Sequence, residues 1–109
     1  MSDVDRKRVA HRELVDRVLQ GEGRASVEQR ARAFGNEGLS SPLDVLIGKV
    51  VGGAAQVTET DLAAVKAAGY SEDQVFELVV CAAVGQSDRL YAAGLAALAE
   101  AKEGTDHAS

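Results

Sequence analysis

The stretch from Ser71 to Lys102, SEDQVFELVVCAAVGQSDRLYAAGLAALAEAK, constrains the fold more than any other part of the chain. Ser71 is followed three residues later by Gln74, with Glu72 and Asp73 between them. This is a helix start with acids placed to suit the helix dipole. At 1.5 Å per residue an unbroken helix over 71–102 is about 48 Å long. A domain of this size has a radius of gyration of only about 13 Å. The segment must therefore bend, with Gly85 the expected place, or project toward a partner subunit. Its first half, VFELVVCAAV, is apolar nearly all round apart from Glu77 and is expected to be central and covered on several sides. In its second half Leu90, Gly94, Leu98 and Ala101 fall on one face, which invites close helix packing within the chain or between chains.

The rest of the chain reads as shorter helices with marked starts. Ser26 precedes Gln29 at capping-box spacing, and Thr58 precedes Asp61. Ser41–Pro42 reads as an N-cap followed by proline in the first helical position. The expected helices cover 7–20, 26–36, 42–55, 58–68 and 71–102. The first carries Leu14, Val15, Val18 and Leu19 as an apolar stripe, and Gly69 closes the fourth. No segment alternates as a strand would. The predicted fold is an all-α single domain of about five helices over 7–102, with flexible ends at 1–6 and 103–109.

Apolar residues make up 46% of the 109, yet there are only two Phe, two Tyr and no Trp. A core of Ala, Val and Leu brings backbones close but buries little area per contact, so self-association is an expected source of further stability. The net charge of −5 disfavours nucleic acid as a partner. The basic cluster Arg6, Lys7, Arg8 and Arg12 is interleaved with Asp3, Asp5, Glu13 and Asp16, which reads as a solvated face rather than an anion or RNA contact. A single cysteine excludes an intrachain disulfide. No apolar run approaches the roughly 18 residues of a membrane span, and MSDVDRKRVAHREL has no apolar leader region, so a cytoplasmic protein without a membrane partner is expected.

Cys81 has Glu77, Leu78, Val84 and Gly85 as its helical neighbours and no cation within a turn. Nothing local lowers its pKa, so it reads as a core residue rather than a working thiol. His11 and His107 stand far apart, and neither has a second histidine one turn away, so no metal site is expected. There is no Gly-x-Ser-x-Gly elbow and no phosphate-binding loop. No catalytic residue and no cofactor are assigned. Gln86 is a polar amide in an apolar stripe with Val75, Val79, Ala82, Leu90 and Ala93, and it must find hydrogen bonds. Arg89 is close enough to share its site. The pair reads either as a structural bond at a kink or interface, or as a small polar site for an anionic ligand.

Residues 57–101, VTETDLAAVKAAGYSEDQVFELVVCAAVGQSDRLYAAGLAALAEA, resemble the carboxymuconolactone decarboxylase and alkylhydroperoxidase D-like family, with a weaker likeness over 42–56. AAGYSEDQVFE is its most distinctive part. The resemblance implies an all-α, alkylhydroperoxidase D-like fold over about 42–102 that assembles into homo-oligomers. It also implies, for the redox branch, a Cys-x-x-Cys pair and a histidine four residues later. Those positions fall here on Ala54, Val57 and Asp61, and the proton-relaying acid falls near Pro42, with Asp44 the nearest substitute. A thiol peroxidase needs a thiolate and a resolving thiol, and neither Ala nor Val supplies one. The expectation is a non-peroxidase protein of this type, acting by homo-oligomeric assembly or by binding a small anionic ligand at Gln86 and Arg89. A cofactor-free decarboxylase or lactone-processing enzyme acting on a small carboxylate is the alternative. A thiol-dependent antioxidant using Cys81 is the third reading.

Overall fold

Four of the five helices begin where a side chain can satisfy one of their first backbone N–H groups. Ser2, Ser26, Thr58 and Ser71 accept from the amides of Asp5, Gln29, Asp61 and Gln74. At Thr58 the cap is reciprocal, because Asp61 Oδ2 in turn accepts from the Thr58 amide at 2.9 Å. The resulting helices are α1 (Asp3–Gln20), α2 (Val27–Gly35), α3 (Leu43–Gly53), α4 (Glu59–Ala67) and α5 (Glu72–Ala108), with one 3-10 turn at Ala54–Gln56. The structure is a computed structural model that describes residues 2–108, with side chains for all of these except 4 and 103–108. The chain is all-helical among the described residues. The tail expected at 103–109 lies outside the residues whose side chains are described.

Several boundaries differ from expectation, the most at α5, which runs on to Ala108 rather than ending at 102. The first helix starts at Asp3 because Ser2 caps it, with Asp3 and Asp5 in its first turn. Pro42 stands one position before its helix rather than inside it, and α3 starts at Leu43 without a side-chain cap. Elsewhere the signals act where they were read. Gly69, at φ +105°, takes the left-handed turn that frees α5 to start at Glu72.

α5 is one continuous helix of 37 residues, about 55 Å long. The segment projects rather than bends. The molecule measures 60 × 28 × 21 Å, with a radius of gyration of 17.1 Å against the ~13 Å of a compact domain this long. α2 and α3 pack on the first half of α5, and α1 runs along it. The core lies between them: Leu43, Leu46 and Ile47 of α3, Ala33 of α2 and Val65 of α4, against Val75, Leu78, Cys81 and Ala82 of α5. Gly85 has a reason other than bending. A Cβ there would lie 2.0 Å from the Phe34 carbonyl oxygen, so its bareness lets the end of α2 touch α5. No helix among the described residues is long and apolar enough to cross a membrane.

Candidate functional site

Cys81 faces inward, 1% exposed, with its Sγ 3.3 Å from the Val18 carbonyl of α1, an oxygen that accepts its S–H. Burial pushes the thiol pKa up; the nearby Arg30 opposes this only in part. Such a thiol is protonated and covered, the opposite of what attack on a peroxide needs.

Around it lies a tie between the α1–α2 loop and α5. Glu77, the one charge in the apolar first half of α5, turns its carboxylate onto the loop. It accepts from the Arg24 amide at 2.7 and 2.8 Å and from the Ala25 amide at 2.6 Å. The Ala25 and Arg24 amides hold its pKa below the ordinary carboxylate value. Arg30, 6% exposed, reaches back from α2 to donate to the Val18 and Gly21 carbonyls at the end of α1. Its buried Nε has no hydrogen-bond partner among the described residues. A hollow of about 690 Å³ opens beside this tie, rimmed by Glu22, Arg24 and Asp73. The carboxylate at its floor is already committed to backbone amides, so it holds the loop and is not left for a ligand.

Gln86 and Arg89 are brought together as their spacing suggested. Arg89 Nε and Nη2 donate to Gln86 Oε1 at 3.3 and 3.2 Å, and Nη1 donates to the Phe34 carbonyl at 2.7 Å. The pair therefore caps the C-terminal end of α2, next to the close approach at Gly85. It lines neither the hollow at the loop nor the groove between α1 and α5. The positions where the redox groups were expected also carry structural roles. Asp61 closes the Thr58 cap and accepts from Lys49 at 3.0 and 2.8 Å, and that lysine hydrogen bond is the main cause of its lowered pKa. Ala54 lies in the 3-10 turn and Val57 follows it. Asp44 is exposed in the first turn of α3.

The best-formed chemistry lies where α1 crosses the second half of α5. His11 Nε2 is 2.7 Å from Asp88 Oδ1, and the imidazole stacks on Tyr91 with centroids 4.9 Å apart and planes 30° from parallel. An ionised Asp88 can only accept, so His11 donates through Nε2, and in a neutral ring Nδ1 is then the acceptor nitrogen. His11 is half-buried, and Nδ1 has no hydrogen-bond partner among the described residues. The pair borders a groove of about 340 Å³. Val15, Ala92 and Leu95 form an apolar floor, and Arg8, one turn before His11, and Arg12, next to it in the chain, also line the groove. Such a groove can hold a small molecule with an apolar body and an anionic end. Nothing local in the sequence announces it, because His11 and Asp88 are 77 residues apart. Only the i, i+3 spacing of Asp88 and Tyr91 and the one-turn spacing of Arg8 from His11 and Arg12 hint at two faces that could meet.

Among the described residues no group of three or more His, Cys, Asp or Glu side chains is placed to hold a metal ion. No family model, no curated protein and no solved structure matches the chain.

Proposed function

We propose that this chain is a non-peroxidase protein of the carboxymuconolactone decarboxylase-like type that binds a small anionic ligand in the groove between α1 and α5. The observation that carries the reading is the His11–Asp88–Tyr91 cluster beside an apolar floor in a groove that Arg8 and Arg12 also line. The guanidinium groups of Arg8 and Arg12 attract a carboxylate, and the floor takes up an apolar or aromatic body. Thiol chemistry has no support, since Cys81 is covered and its pKa is raised. This reading moves the ligand away from Gln86 and Arg89, whose polar atoms are already used on each other and on Phe34.

The enzymatic alternative has one observation in its favour. A histidine oriented by a carboxylate beside a ligand groove is an arrangement that can take up a proton from a bound carbon acid or a water. Binding comes first in either case. A panel of small aromatic and aliphatic carboxylates should raise the melting temperature of the wild type. The increment should disappear in Arg12→Ala and persist in Arg89→Ala, even though the latter melts lower. An increment lost in Arg89→Ala and kept in Arg12→Ala would return the site to Gln86 and Arg89. If no member of the panel stabilises the wild type, the ligand-binding reading fails. Turnover of a lactone or carboxylate that stops in His11→Ala would establish the enzymatic one.

A further inference from the structure

The first helix is attached to the molecule differently from the others. Every described core residue lies in α2, α3, α4, α5 or the α1–α2 loop, and no described side chain of α1 is buried. Val9 and Leu14 are 47% and 43% exposed, and Val18 only flanks the core. Polar ties hold α1 to the body instead. His11 meets Asp88 at one place. Two turns further along α1 the Val18 carbonyl accepts from Cys81 at 3.3 Å and from Arg30 at 3.4 Å, and the Gly21 carbonyl beyond it accepts from Arg30 at 2.5 Å. Cys81 and Asp88 are likewise two turns apart on α5, so the ties run in antiparallel register. A helix that buries so little apolar surface gains little by docking, and ties of this kind replace bonds that water would also make.

We propose that α1 is a strap that lifts from α5 while the core of α2 to α5 stays folded, and that a ligand in the groove between α1 and α5 holds it shut. Cys81 is what the strap covers. The small hollow over its thiol, about 130 Å³, is walled on one side by Arg17 and Val18 of α1. Lifting α1 removes that wall together with the carbonyl that accepts the S–H. The groove is divided in the same way. Arg8, His11 and Val15 come from α1, and Tyr91, Ala92 and Leu95 from α5, so the groove exists only while α1 is docked.

A ligand that fills the groove therefore binds the docked state alone. It lowers the open fraction by the factor 1 + [L]/Kd, and the reactivity of Cys81 falls with it. By reciprocity, an adduct on Cys81 that props α1 open weakens the ligand. This coupling rests on the groove being the ligand site, whereas the release of α1 does not.

The rate at which a disulfide reagent labels Cys81, set beside the urea midpoint of each variant, tests both parts. Without ligand the wild-type rate should stay nearly flat at low urea, because lifting one helix exposes little surface. Val65→Ala, in the core on α4, should lower the midpoint and leave the rate in buffer unchanged. Asp88→Ala, which cuts a tie outside the core, should raise the rate about tenfold. Benzoate at ten times its Kd should slow wild-type labelling about tenfold. A rate that climbs with urea along the global transition from the start, or that Val65→Ala raises and Asp88→Ala does not, would overturn the strap. Benzoate that raises the melting temperature without slowing the labelling would overturn the coupling alone. Benzoate that does neither would remove the coupling along with the groove reading for aromatic carboxylates, and the ligand-free rates would still decide the strap.

Discussion

A single sulfur shows how far environment decides chemistry. Cys81 sits one helical turn from Glu77 and near Arg30, neighbours that in an open cleft could tune a thiol. Here the side chain is packed under Val18, with its S–H directed to a carbonyl. Desolvation outweighs the attraction of Arg30, and the thiolate is disfavoured. A disulfide reagent added to the folded protein should therefore label Cys81 roughly 100-fold or more slowly than in urea, since reaction has to wait for opening. Fast labelling in buffer would restore the thiol reading. The core nature of Cys81 was legible from its apolar neighbours. The partners of Glu77 were not: the carboxylate is satisfied by the amides of Arg24 and Ala25, more than fifty positions earlier in the chain.

Among the elements, α5 organises the rest. Its first half is the floor on which α2 and α3 pack, and the contact with α2 depends on one missing methyl group. Gly85 lies against the end of α2, where the Phe34 carbonyl also accepts from Arg89. Gly85→Ala places a carbon on backbone atoms that cannot rotate away, so α2 must lift off its seat. A loss of about 3 kcal/mol is expected, read as a lower denaturation midpoint, with hydrogen exchange rising first in α2. An unchanged midpoint would mean that α2 is held elsewhere. The caps at Ser26, Thr58 and Ser71 were readable because their partners are three residues away. The purpose of Gly85 is not legible in the sequence, since a glycine that bends a helix and one that admits a neighbour look alike in one dimension.

For the molecule as a whole, acid is the expected weak point. The carboxylates of Glu77, Asp61 and Glu72 all titrate below their ordinary values, held down chiefly by amides in the first case and by lysine hydrogen bonds in the other two. A depressed folded pKa adds stability above the unfolded value, and that stability is lost as pH falls through the folded one. For Glu77 the unfolded value is close to 4.5. The melting temperature should thus hold steady through neutrality and fall below about pH 4.5. Glu77→Gln should melt lower at pH 7 and show a shallower fall in acid. An identical acid profile in the variant would show that the tie between α5 and the α1–α2 loop contributes nothing. Glu77 matters more here than the two lysine-paired acids, because it joins distant parts of the chain.

The helical character, the cap positions and the absence of a cysteine pair at Ala54 and Val57 are properties of the chain read in order, because each depends on residues within a turn or two. The straightness of α5, the capping role of Arg89 and the meeting of His11 with Asp88 and Tyr91 depend on which faces come together. That choice is made by packing between segments far apart in the chain, and small side chains such as Ala33, Ala82 and Gly85 decide it by how closely they let backbones approach.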